Sequence, residues 1–117
     1  MATKAKKKRR RYKTPKVILR HTLEYFKANP KNWTTLMRRR KRSAADDGVA
    51  LCALGGCQYF AEGRKFGNIA ARYLAEAMGM QNAHKANMRA VETYIYQRND
   101  NPGGRKHVLA ALEKATA

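Results

Sequence analysis

Residues 50–61 read ALCALGGCQYFA, a run that is apolar on nearly every side of a helix. A surface helix carries a single apolar stripe, so this pattern predicts a central buried helix around which the others pack. Gly55 and Gly56 lower its helix propensity by roughly 1 kcal/mol each against alanine. Close approach of a neighbouring helix is the expected compensation. Glu62-Gly63 should end it.

Upstream, Asp46-Asp47-Gly48 is a turn signal. If Leu36-Met37 pairs with Val49–Leu51 across it, a short hairpin with a long basic tip results. Further back, Thr14-Pro15 reads as N-cap and first helical position. Ile18, Leu19, Thr22, Leu23 and Phe26 recur at helical spacing through 16–28, and Asn29-Pro30 closes that segment. Trp33, which is the sole tryptophan, is expected to pack on the core.

Downstream, Asn68 is expected to cap a helix with Ile69, Tyr73 and Ala77 inward, stopping near Gly79. Asn82 should begin another, with Met88, Val91 and Ile95 inward and Tyr94 and Tyr96 at its edges. Residues 99–104, NDNPGG, form a break. The last helix turns Val108, Leu109, Leu112 and Ala115 inward. No internal repeat is present. The expected fold is mainly α: a small single-domain bundle of about five helices with one irregular or short β-hairpin insertion.

The chain has 117 residues, 44% of them apolar, which suits one globular domain. A net charge of +18 does not suit an ordinary one. Residues 1–43 hold 17 Lys/Arg and a single acid, Glu24, whereas residues 44–117 hold nine Lys/Arg and seven acids. The predicted organisation is therefore a basic disordered arm over 1–15, and a helical domain over 16–117 with a basic loop at 36–45. Self-repulsion keeps such an arm extended until an anion neutralises it.

Cys52 and Cys57 on one helix would point about 140° apart, a poor disulfide geometry. Two such cysteines without a secretory signal fit a reducing compartment. No run approaches the ~20 apolar residues of a membrane span. The expected location is the cytoplasm of a bacterial host, with association to a virion as the variant, and no membrane partner.

Three landmarks stand in order: Asn32-Trp33 after the first helix, Asp47-Gly48 with Cys52 and Gly55 entering the apolar helix, and Asn99-Asp100-x-Pro102 before the last helix. Together, over roughly residues 17–115, they resemble a family of small uncharacterised domains in actinobacteria and their phages. Gly56 stands where that family favours alanine, and Arg98 where it favours an aromatic. The resemblance implies a fold and a phage-like setting; it brings no activity.

Several site chemistries can be weighed on the residues. Cys52 near a helix N-terminus, with Asp100 or one of His21, His84 and His107 as base, would suit a nucleophile. Free cysteine is among the most buried residue types, so packing is the favoured role. C-x4-C with three scattered histidines is not a zinc spacing, and Gly55-Gly56 lacks the lysine of a phosphate loop. No metal or cofactor is expected. Trp33, Asp47, Asn99 and Asp100 read as a structural polar cluster, Asp and Asn bonding the amides of tight turns; the alternative is a ligand pocket framed by the same groups.

The basic runs differ, because a solvated face mixes signs and these do not. Lys6, Lys7, Lys8, Arg9, Arg10, Arg11 and Lys13, with Arg38, Arg39, Arg40, Lys41 and Arg42, place twelve cations in two short windows. Neutralising even six phosphates of a duplex gives a log K against log salt slope of about −5. Arginine suits phosphate, five in a row suit backbone tracking, and Tyr12 would stack on a base. No signature of sequence-specific readout accompanies them. The leading expectation is non-enzymatic, non-specific nucleic-acid binding, DNA slightly favoured over RNA. The alternative is an inhibitor or adaptor docking on an acidic face of a host or virion protein. A small hydrolase or transferase ranks third. Oligomeric state is not legible.

Overall fold

α1 (Pro15–Ala28) forms as the apolar spacing demands. Pro15 sits at its first turn, and Ile18, Leu19, Thr22, Leu23 and Phe26 are buried on one face. In the computed structural model, residues 11–30, 33, 39–41 and 49–117 are described, with 39–41 and 49–50 as backbone. The remaining elements are β1 (Arg39–Lys41), β2 (Val49–Leu51), α2 (Ala53–Tyr59), α3 (Arg64–Met78), α4 (Met88–Asp100) and α5 (Gly104–Thr116). The protein is thus a mainly α small domain, with five helices among the described residues.

β1 and β2 pair antiparallel, Arg39 opposite Leu51 and Lys41 opposite Val49. The partner of Val49–Leu51 is therefore Arg39–Lys41 and not Leu36-Met37, which lie outside the described residues together with 42–48. Val49–Leu51 being extended also shortens the apolar helix. α2 starts only at Ala53, because Cys52 adopts an extended conformation as its N-cap. Ala53–Cys57 are wholly buried, and the chain leaves the helix at Phe60. Close approach at the glycine pair is confirmed at Gly56: a Cβ there would collide with the Thr22 Cγ2 of α1.

α2 is buried as expected, and α3 packs closely on each of the other four helices. Its buried face is Gly67, Ala70, Ala71, Leu74, Ala75 and Met78. That face lies one residue round from the expected Ile69, Tyr73 and Ala77; Tyr73 is 45% exposed. Small residues let four neighbours crowd the axis, and the larger apolar ones are left at the rim. Asn68 lies within the helix, which begins after Gly63 and ends at Gly79, whose φ of 111° suits only glycine.

α4 starts at Met88, not near Asn82. Asn87 is its cap, Oδ1 accepting from the Ala90 N–H at 2.9 Å. Asn82 instead turns the chain with φ 56°, its carbonyl accepting from Lys85 and Ala86. Arg72 of α3 donates to the carbonyls of Ala83 and Ala86, tying that loop down. Val91 and Ile95 are buried, while Met88, Tyr94 and Tyr96 are half-buried. α4 runs on through Asn99 and Asp100, so the break begins at Asn101. In α5, Val108, Ala111 and Leu112 are buried, while Leu109 and Ala115 are half-buried at the edge.

Candidate nucleic-acid interface

The described parts of the two basic windows, Arg11–Lys13 and the backbone of Arg39–Lys41, attach on either side of α2. At its C-terminal end, the Tyr12 N–H donates to the Phe60 carbonyl and the Glu62 N–H donates to the Tyr12 carbonyl, both at 2.7 Å. Tyr12 forms a parallel bridge with Ala61 there, and Trp33 forms one with Leu51 at the other end. β1 pairs with β2 immediately before the same helix. Seven helical residues and the short extended pieces beside them separate these attachment points by at most about 20 Å.

The expected arm boundary at residue 15 thus falls inside described, docked chain. Tyr12 is half-buried, and its ring stacks on His21 with centroids 4.2 Å apart. One face of the ring proposed for base stacking is therefore covered. Arg11 and Lys13 are exposed, and Lys13 Nζ lies 3.9 Å from Glu62 Oε1. Arg39, Arg40 and Lys41 form β1. Lys6, Lys7, Lys8, Arg9, Arg10, Arg38 and Arg42 lie outside the described residues.

Of the polar cluster, Asn99 and Asp100 come together at the start of α2, and Asp47 lies outside the described residues. Asn99 is buried; its Oδ1 accepts from the Ala53 N–H at 2.9 Å, and its Nδ2 donates to Asp100 Oδ1 at 2.8 Å. The contact is with a helix terminus rather than a loop, because Asn99 projects from the last turn of α4. Trp33 packs edge-on against Phe26 of α1, centroids 5.0 Å apart. It reaches the same end of α2 through the Leu51 bridge.

Both thiols are buried. The Cys52 Sγ accepts from the Gly55 N–H at 3.3 Å, an N-cap made by sulfur. Burial, with Cys52 nearby, pushes the Cys57 thiol far above its ordinary ionisation range, which keeps it protonated. His21 and His84 are engaged in ring contacts with Tyr12 and Tyr73, and His84 Nε2 lies 3.3 Å from Glu76 Oε1. Among the described residues, no three His, Cys, Asp or Glu side chains are grouped to hold a metal ion, and no helix is long and apolar enough to cross a membrane.

Sequence reasoning missed a set of half-buried aromatics beside α2. They are His21 and Tyr25, one turn apart on α1, with Tyr59 and Phe60 at the end of α2. Their signal was the i, i+4 spacing of 21 and 25 next to the apolar stripe. On the other flank of α1 two cations make exposed contacts with α5: Arg20 donates to the Thr116 carbonyl at 3.5 Å, and Lys27 Nζ lies 3.7 Å from Glu113 Oε1. No protein-family model, curated protein or solved structure matches this chain.

Proposed function

We propose that this protein is a non-enzymatic accessory protein that binds nucleic acid through the phosphate backbone, with DNA slightly preferred to RNA. The observation that supports this most directly is that Arg11–Lys13 and Arg39–Lys41, the described parts of two cation-rich windows, attach to the chain on either side of one seven-residue helix. The two windows hold twelve cations in the sequence, enough to neutralise several phosphates of a nucleic-acid backbone. Arginine-rich contacts of this kind position a backbone and do not read bases, so affinity is electrostatic and sequence-tolerant. The resemblance to phage domains suggests action in the cytoplasm of a bacterial host.

A mobility-shift titration of a DNA duplex at two salt concentrations tests the reading. Binding that weakens with a log–log slope of about −5 or steeper is expected. Failure to bind any DNA or RNA at about 100 mM salt would overturn it. The same cations would then have to serve an acidic protein surface, where they steer association.

A further inference from the structure

Between the two attachment points the rings form a file of contacts that passes through the core at Phe26. Tyr12 lies flat on His21, planes 7° from parallel, and His21 leads to Phe60 at 6.0 Å. Phe60 meets Tyr59 at 5.1 Å and Tyr25 at 5.7 Å, and Tyr25 meets Tyr59 at 6.2 Å. Beneath them the buried Phe26 joins Tyr25, at 6.2 Å, to Trp33, at 5.0 Å. The other six, Tyr12, His21, Tyr25, Trp33, Tyr59 and Phe60, are all half-buried. Glu24 and Glu62 border the file, and each sits 3.9 Å from a basic neighbour, His21 Nδ1 and Lys13 Nζ respectively.

Packing alone does not call for this chemistry. Aliphatic side chains would cover the α1–α2 seam equally well, and none of them offers a flat π face. We infer that the half-buried rings of this file are a stacking platform for the bases of a single strand of nucleic acid, whose phosphates would meet Arg11 and Lys13 beside Tyr12. The inference rests on the nucleic-acid reading above and narrows it to unpaired bases. A duplex hides its base faces inside the stack and offers only phosphates and groove edges. A single strand exposes those faces, and stacking on aromatic rings tolerates any base. Charge complementarity supports the same occupant: the exposed Arg11 and Lys13 flank Tyr12 at one end of the file, and Trp33 at the other bridges to Leu51 of β2, whose partner strand is Arg39–Lys41.

Fluorescence anisotropy on the full chain separates the two claims. The probes are an oligothymidine of about 16 nucleotides and an abasic strand with the same number of phosphates. Oligothymidine is expected to bind at least about tenfold more tightly than the abasic strand, with a similar salt slope. It should also quench Trp33, the sole tryptophan. Equal affinities would overturn the platform and leave backbone binding standing. No binding of either probe at about 100 mM salt would likewise overturn the platform. Only if a DNA duplex and RNA also fail to bind does the nucleic-acid reading itself fall. Tyr59→Leu and Tyr12→Leu keep apolar bulk and remove the ring. Each should weaken oligothymidine about tenfold while sparing the abasic strand; a loss shared equally by both probes counts against the platform.

Discussion

Thr22 is a polar side chain with no access to solvent, halfway along α1. Its hydroxyl donates to the Ile18 carbonyl at 2.9 Å, so its hydrogen bond is satisfied within its own helix. Its methyl faces Gly56, and it is this methyl, more than the hydroxyl, that forbids a Cβ there. Gly56→Ala is therefore expected to destabilise the protein by about 1–3 kcal/mol, the usual cost of overpacking, despite alanine's better helix propensity. Thr22→Ser removes the offending methyl and keeps the hydroxyl. In a chemical-denaturation double-mutant cycle, the pair should recover most of the loss, giving a strong favourable coupling. Strict additivity would show that the Thr22 methyl is not what excludes a Cβ at Gly56.

α2 shows how an element can be too short to stand alone. Seven residues are below what an isolated helix sustains in water, and two of them are adjacent glycines. It persists because its first amides are satisfied from outside: Gly55 by the Cys52 sulfur and Ala53 by Asn99 of α4. Asn99→Ala leaves the Ala53 N–H buried without this acceptor, which should cost about 1–3 kcal/mol. Asn87→Ala removes a similar cap at the exposed start of α4, where water substitutes, and should cost about 1 kcal/mol. Thermal melts of the two variants should rank in that order; equal losses would mean that Asn99 is not the support of α2. The same contrast explains what could be read in advance. α1 was legible to the residue because its apolar face obeys a local period. The start of α2 was not, since one cap is a sulfur and the other comes from an asparagine far along the chain. α3 was misphased because alanine carries little hydrophobic weight, although close packing puts alanine at the axis. Asn82 and Asn87 are both plausible caps by residue type, and only the turn around Asn82 decides between them. The basic windows were evident as composition, but the docking of Arg11–Lys13 at the exit of α2 depends on Tyr12, whose partners lie at Phe60 and Glu62.

For the whole molecule, these contacts divide the basic front end into two parts with different physical roles. Residues 1–10 contribute six Lys/Arg, while Arg11–Lys13 enter the domain through Tyr12. Deleting residues 1–10 should leave the melting temperature nearly unchanged, because the Tyr12 pairing and its stack on His21 survive. Nucleic-acid affinity should fall, and the salt slope should shrink by up to about 5, since each lost phosphate contact removes roughly 0.9. Deleting residues 1–13 removes two backbone hydrogen bonds to α2's exit and one ring of the stack. That further cut should cost about 1–3 kcal/mol of stability, a drop of several degrees in a domain of this size. Measuring melting temperature and salt slope on both truncations keeps the two roles apart. A full-length slope after the shorter deletion would remove the arm from the interface, and a longer deletion that melts like the shorter would show that Tyr12 merely rests on the domain.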